Sequence, residues 1–409
     1  MPSSTLQEKV AAGARWGASA LAHARLITAA SYGRGSATQA EGKAASYVAA
    51  RLAALGVRGV EVQPFEGLRS IWIFLALAFG FALMGHAAYW LLRIPLGGVP
   101  ALLFSAALFL FAAFLLWRKF TFRDYPLRRT LPHAPSRNVT ALLAPSGEAR
   151  QEVILIAHLD THRQVVWYAS DLLLRAYGLL TPLALYGLVL APLFYGAAAL
   201  TGLSWIAWPG ALLALAHFLA WFTGMTADLG PYSPGANDNA SAAGTLLALA
   251  ERLQAEPLQH TGVRLLFTGC EETGCDGMLA FLDAQPPGPD GALFLDFELV
   301  GIGERLVYLQ SEGVARRRRI SKEVEELVLE AGRDFGLEPL QAEGAGMFTE
   351  MGAVWERGGR GACLLALRRD SPFLPEWHRS SDTPDQLQPE TLARVHALAW
   401  EILRRVDEG

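Results

Sequence analysis

Val153-Ile154-Leu155-Ile156-Ala157-His158-Leu159-Asp160 is the stretch on which the reading of this chain turns. Five apolar residues rich in β-branched side chains form a short run that reads as a strand. It ends in His-x-Asp, so an imidazole and a carboxylate stand just past a strand's carboxyl end, where open α/β sheets place their ligands. Similar runs lie on either side: Val60 to Phe65, Asn138 to Ala144, Val263 to Phe267, Ala292 to Phe297 and Cys363 to Leu367. Between them Asn239 to Leu253, Ser321 to Phe335 and Glu390 to Val406 have helical spacing. Thr38-Gln39-Ala40-Glu41 is a capping box opening a helix that closes at Gly56. Alternating strands and helices predict an α/β domain with a mixed, mostly parallel central sheet flanked by helices. The chain has no internal repeat and no long low-complexity tract.

Two apolar stretches interrupt this pattern. Of the 409 residues, 52% are hydrophobic and only 18% charged, and the mean hydropathy is +0.25. Ile71 to Leu92 and Ile94 to Trp117 are uncharged, separated by Arg93, and Ala176 to Ala227 contains no charge at all. Each piece is long enough to span a bilayer, which takes roughly 20 residues. Thr201-Gly202-Leu203-Ser204 divides the second stretch, and Tyr177, Trp205, Trp208 and Trp221 stand near its ends as interfacial aromatics do. The alternative, buried core helices, seldom runs so long without a charge. The expectation is two transmembrane hairpins, 70–118 and 172–226, that divide one domain into 1–69, 119–171 and 227–409.

Arg69, Arg118, Lys119, Arg123, Arg128, Arg129, Arg163 and Arg175 lie toward the domain, against Arg93 alone at a hairpin tip. The positive-inside tendency therefore predicts a multi-pass membrane protein with a cytoplasmic domain. Net charge is -4, which leaves no global attraction for nucleic acid. Cys270, Cys275 and Cys363 form no disulfide framework and suit a reducing compartment. The N-terminal region to Ser31 is Ala-rich and lacks the continuous apolar core of a signal peptide.

The chemistry sits after the strand-like runs: His158 and Asp160, then Asp238 within Gly235-Ala236-Asn237-Asp238-Asn239, then Glu271-Glu272, Asp296, and Trp377-His378. These groups offer nitrogen and carboxylate ligands for a borderline-soft divalent cation. One ion would take His158, Asp238 and a carboxylate, and a second His378, Asp238 and another. Asp238 is the natural bridge, since one carboxylate can place an oxygen on each of two ions about 3.5–4 Å apart. Of two adjacent glutamates only one can aim at the ions, which frees its neighbour to accept a proton from water.

The segments AHLDTH, GANDNASAAGTLLALAERL, LLFTGCEETGCDG, LDFELVG and WHRSSDTPDQL together resemble the M28 family of di-zinc peptidases. The resemblance implies a zinc-exopeptidase fold, two Zn2+ per chain and a peptide substrate. It assigns His158 and Asp296 to one zinc, Glu272 and His378 to the other, and Asp238 to the bridge. Glu271 becomes the general base, and Asp160 orients His158. Asp rather than Glu at position 296 resembles the aminopeptidase branch. Alternatives on the same scaffold are a glutaminyl-cyclase-like acyltransferase with one zinc and a non-catalytic membrane scaffold of the nicastrin or nicalin kind.

Other residues carry weaker signals. His133, His162 and His260 read as ordinary loop histidines, and His86 and His217 fall inside the apolar spans. Cys270 and Cys275 flank the glutamates but read as packed thiols. Arg316 to Arg319 is a solvated basic face or a contact for anionic lipid. Met347-Phe348-Thr349-Glu350-Met351 stands where the family often carries Ser-Asp-His, so the specificities of relatives do not transfer. Only some fifteen residues separate His158 from the second hairpin, which places the site near the bilayer and favours hydrophobic or membrane-derived peptides.

Overall fold

A computed structural model of the chain describes residues 6–288, 291–341 and 348–409, with side chains from residue 13 onward. Its strands are β1 (Glu61–Leu68), β2 (His133–Leu143), β3 (Gln151–His158), β4 (Thr261–Thr268), β5 (Leu293–Glu298), β6 (Arg305–Glu312), β7 (Arg318–Arg319), β8 (Glu338–Gln341) and β9 (Arg360–Leu367). They form one mixed sheet in the order β1-β2-β4-β3-β5-β9-β6-β7, with β8 also pairing β6. The centre, β4-β3-β5-β9, is parallel, whereas β1, β2 and β6 join antiparallel. From β3 the chain goes to one neighbour, β4, and then crosses to the other, β5. The crevice at a topological switch point therefore opens at the end of β3, where His158 is the last residue.

The helices are α1 (Leu6–Ala30), α2 (Gln39–Ala54), α3 (Trp72–Leu96), α4 (Gly98–Phe120), α5 (Asp171–Thr201), α6 (Ala207–Thr226), α7 (Ser241–Ala255), α8 (Asp276–Ala284), α9 (Lys322–Gly332), α10 (Glu350–Glu356) and α11 (Pro389–Glu408). Thr38 caps the helix as expected, accepting from the Glu41 amide, but Glu41 reaches past the cap to accept the Ala37 amide, since the Thr38 amide is taken by the Gly35 carbonyl. α1, α7 and α11 pack on one another. α7 is rich in small residues and approaches so closely that a Cβ on Gly244 would lie 2.3 Å from the Ala20 carbonyl oxygen.

Several elements extend beyond their apolar runs. β2 starts at His133 rather than Asn138 because its first residues pair with the end of β1, Leu68 opposite His133. β6, β7, β8, α8 and α10 were not expected from hydropathy. Arg318, in β7, pairs with Glu356, so part of the basic run is engaged within the domain.

α3, α4, α5 and the stretch Ser204–Leu229 that contains α6 are long and apolar enough to cross a membrane. Their packing is inverted relative to a soluble bundle, with Leu110, Leu179 and Leu212 each more than two-thirds exposed. The first hairpin turns at Gly97 rather than Arg93. The Arg93 guanidinium lies 4.0 Å from the centre of the Trp90 ring, so the helix carries it onward until Gly97 takes φ +85°. Inside the bundle His217 Nε2 donates to the Ala184 carbonyl at 2.9 Å, leaving Nδ1 to accept from His86 Nε2 at 2.9 Å, and His86 Nδ1 faces the Tyr195 hydroxyl at 2.5 Å. This relay satisfies both rings in their neutral form and ties α3, α5 and α6 together.

Sheet geometry fixes where the bundle sits. β1 is antiparallel to β2 and β2 antiparallel to β4, so β1 ends on the same edge as β3, β4 and β5. The first hairpin leaves from the end of β1 and the second follows the end of β3. Both rise from the edge that carries the crevice.

Candidate metal and active site

In the parallel register of β3 and β5, Ile156 lies opposite Asp296. Side chains alternate with a period of two, so the next pair on the same face is His158 and Glu298, each the last residue of its strand. His158 Nε2 lies 3.3 Å from Glu298 Oε2 and 3.3 Å from Asp238 Oδ1. His378 Nε2 mirrors this, 3.3 Å from Asp238 Oδ2 and 3.3 Å from Glu272 Oε2. The two oxygens of Asp238 thus face one histidine each.

Asp296 does not join this cluster, which corrects the expectation from the sequence. It lies two residues deeper on β5, is fully buried, and accepts from the Met351 amide through Oδ2. Burial, reinforced by the charge of Glu298, pushes its carboxyl well above the usual range. Glu298 takes the place foreseen for it, and the hint drawn from Asp at that position falls with it.

The local turns aim the remaining groups. Cys270, Leu299 and His378 hold left-handed φ values of 56°, 48° and 57°, at the approach to Glu271, directly after Glu298, and at the histidine itself. Such conformations in residues other than Gly cost ~1–3 kcal/mol each and persist where the surroundings enforce them. Asp160 supplies part of that enforcement. Its Oδ1 accepts the Glu271 amide at 3.0 Å, and its Oδ2 accepts the Glu272 amide at 3.1 Å and the Ser36 hydroxyl at 2.6 Å. The Asp160 carbonyl and carboxylate also occupy His158 Nδ1, at 3.1 and 3.6 Å, which leaves Nε2 to face the cluster. Asp382 does the same for Asp238, accepting the amides of Asn237 and Asp238.

The two glutamates point apart: Glu272 faces His378, while Glu271 Oε1 lies 3.5 Å from Cys275 Sγ and within reach of His158. Met347 lies outside the described residues. Of its neighbours, Thr349 bonds Glu312 through amide and hydroxyl, and Phe348 lines the cavity beside the cluster.

Sequence reasoning missed four contributors besides Glu298. Asp382 lies inside a quoted motif, but nothing local marked it. Ser36 and Arg34 come from the loop before α2. Arg34 is fully buried and donates to the carbonyls of Leu159, Pro234 and Gly235 at 2.7, 3.1 and 2.7 Å, clamping two site loops together. Gly235 has φ +69°, and a Cβ there would lie 2.1 Å from the Thr161 methyl. His162 stacks on His378 with ring centres 3.8 Å apart, and it groups with Glu272 and His378 as a set that could hold an ion.

The electrostatics call for a cation. Glu271, Glu272 and Glu298 are all displaced upward, chiefly by burial. Burial also raises Asp238, but hydrogen bonds from the two imidazoles outweigh it and hold that carboxyl below the usual range. Oxygens Glu272 Oε1 and Glu298 Oε1 are buried with no hydrogen-bond partner, which native structures seldom leave unexplained. Charge-assisted hydrogen bonds would draw imidazole and carboxylate to about 2.7–2.9 Å. A tetrahedral site with bonds of about 2.0–2.1 Å instead spaces its ligand atoms by about 3.3 Å. All four contacts have that spacing, so the residues fit divalent metal.

The model of peptidase family M28 matches residues 207–403, a span that contains Asp238, Glu271, Glu272, Glu298 and His378. The part of the chain that carries these five residues is similar to family M28. No curated protein matches it in sequence. A zinc aminopeptidase from Bacillus subtilis shares its fold at 14% identity and TM-score 0.56, over 95% of this chain and 94% of the other. A leucine aminopeptidase precursor from Bacteroides thetaiotaomicron superposes at 14% identity and TM-score 0.52, over 95% and 96%. A glutaminyl cyclase from the same organism does so at 14% identity and TM-score 0.53, over 95% and 97%. The match to the M28 model supports a hydrolase of metallopeptidase type.

A cavity of about 220 Å³ adjoins the cluster and is lined by His158, Asp238, Glu271, Glu272, Glu298 and His378 at one end. At the other it is lined by residues of α3, α5 and α6.

Proposed function

We propose that this chain is a membrane-anchored aminopeptidase of the M28 kind that uses two zinc ions, with its α/β domain on the cytoplasmic side. The observation that carries the reading is the 3.3 Å spacing of both imidazoles from their carboxylate partners, with Asp238 serving each through a separate oxygen. His158 and Glu298 would hold one ion, His378 and Glu272 the other, and Asp238 both. Bound there, the ions would acidify a water and polarise the scissile carbonyl.

Glu271 performs the proton work. It takes a proton from the attacking water, whose oxygen bonds to the carbonyl carbon. As the carbon–nitrogen bond breaks and its electron pair leaves with nitrogen, Glu271 returns the proton to that nitrogen. Burial pushes its carboxyl above the usual range. Asp160 fixes both glutamates through their amides, and the orientation side of the cytoplasmic assignment rests on the Lys and Arg bias around the spans.

The glutaminyl cyclase likeness supplies a second reading, which metal stoichiometry separates from the first. The test is metal analysis together with a panel of aminoacyl and amino-blocked peptides, comparing the parent with Glu271→Ala. The expected result is two equivalents in both proteins, turnover of free amino termini by the parent, and none by the variant. One equivalent in the parent favours the cyclase reading, and loss of metal from the variant reverses the glutamates.

A further inference from the structure

The cavity beside the cluster does not end at the domain surface. Past a rim of Trp72, Trp167, Tyr168 and Tyr177 it continues between α3, α5 and α6, lined by Leu75, Phe79, Leu180, Ala184, Leu185 and Ala220. Trp72 to Phe79 spans seven residues and Tyr177 to Leu185 eight, so the slot runs roughly 10–12 Å into the bundle. Phe79 and Ala184, at its far end, are both buried and backed by His217: the Phe79 ring stacks on His217 at 5.9 Å, and the Ala184 carbonyl is held by His217 Nε2.

The chemistry of the walls selects the occupant. Both hydroxyls of the deep lining are engaged, Thr181 donating to the Tyr177 carbonyl and Thr223 accepting from the Trp167 indole. A peptide backbone in the slot would leave its N–H and C=O groups unpaired in an apolar setting, which disfavours it strongly. A transmembrane helix is too thick, because α3, α4, α5 and α6 already contact one another around the space and a helix is about 10 Å across. An unbranched hydrocarbon chain needs no hydrogen bonds and fits a narrow slot.

We infer that the bundle forms a measuring slot for a single unbranched apolar chain, so that the substrate is an amide carrying such a chain on one side of the scissile bond. The inference rests on the hydrolytic reading above and names its substrate class. A tail that leaves the bilayer for the slot exchanges one apolar setting for another, so length selectivity arises from fit. The rate then peaks at the chain that fills the slot. Longer chains press on Phe79 and lose at least about fivefold in kcat/KM, as overpacked cores do.

The experiment uses the full chain in lipid nanodiscs with zinc. Two series of amides, graded from short to long straight chains, carry the chain on the acyl side or on the amine side, which identifies the side that enters. Displacement of a dansyl-labelled alkyl probe from metal-loaded Glu271→Gln reads binding without turnover. We expect an optimum length in one series, moved to shorter chains by Ala184→Trp and to longer chains by Phe79→Ala, with the displacement series following suit. Melting temperatures confirm that both variants fold. Hydrolysis with no length optimum, or an optimum that neither variant moves, overturns the slot while leaving the peptidase reading intact. If no amide is hydrolysed, length-dependent displacement that Ala184→Trp shifts still supports the slot, and length-independent displacement overturns it.

Discussion

Replacing Glu298 by Gln and, separately, Asp296 by Asn distinguishes two readings of one strand. Both side chains face the same side of β5, but only Glu298 reaches His158 Nε2, at 3.3 Å. A four-coordinate structural zinc binds with ~10–16 kcal/mol, or ~2.5–4 kcal/mol for each ligand, so Glu298→Gln should weaken one ion by ~10²–10³-fold. Burial and the charge of Glu298 push the Asp296 carboxyl upward, and Asn keeps an acceptor for the Met351 amide. Its replacement should change affinity by less than about tenfold, below the range for residues that hydrogen-bond a ligand. Competition between each protein and a fluorescent zinc chelator measures both, with metal content after dialysis as a check. If Asp296→Asn releases an ion and Glu298→Gln retains two, the register argument is wrong and Asp296 is the ligand.

Metal loading should release protons. Burial draws the His378 imidazole down, but Glu272 and Asp238 outweigh it and hold the metal-free group at about 9. Zinc displaces that proton, so apparent affinity should climb between pH 6.5 and 9, and calorimetry in buffers of different protonation enthalpy should detect the release. A folded value above the unfolded 6.5 means that the imidazolium stabilises the metal-free protein fully below pH 6.5 and ceases to as pH rises through 9. Thermal melts of chelator-treated protein should therefore fall across that window, and a flat profile would contradict it. Arg34→Met should destabilise the α/β domain by ~3 kcal/mol or more, because three buried carbonyls lose a charged donor, as read by denaturant unfolding. Gly235→Ala should lower both zinc affinity and melting temperature, since it forces a left-handed residue against Thr161. His86→Phe should destabilise the bundle by ~1–2 kcal/mol through the unpaired His217 nitrogen, measured by the midpoint of unfolding in mixed micelles.

The central strand and the order of its motifs were legible because they are local: an apolar run, then a polar pair at its end. The choice between Asp296 and Glu298 was not. Both residues satisfy the alternation, and only the pairing of Ile156 with Asp296 reveals that the strand's last turn toward the crevice belongs to Glu298. Arg34, Ser36 and Asp382 escaped for a related reason. Each acts on loops distant in the chain, Arg34 on carbonyls 125 to 201 residues away, and no local pattern marks such a contact. His162 looked ordinary because stacking on His378 is a property of two loops together. The turn of the first hairpin was displaced from Arg93 to Gly97 because a long side chain can lie along its own helix, whereas only Gly takes φ +85° at little cost.

The sheet also constrains the membrane topology more firmly than charge counting does. β1 and β2 are adjacent strands separated in the chain by the first hairpin, and β3 and β4 are adjacent strands separated by the second. Each insertion must leave and return on the same side of any bilayer it enters, hence an even number of crossings, and two helices apiece satisfy this. Because β1 and β3 both end on the edge that carries His158, the insertions cannot be placed away from the site. That shared edge is what brings Leu75 and Leu180 into one cavity with Glu271. Here the crevice opens between α3, α5 and α6, so the apolar helices form part of the cavity wall that also carries Glu271.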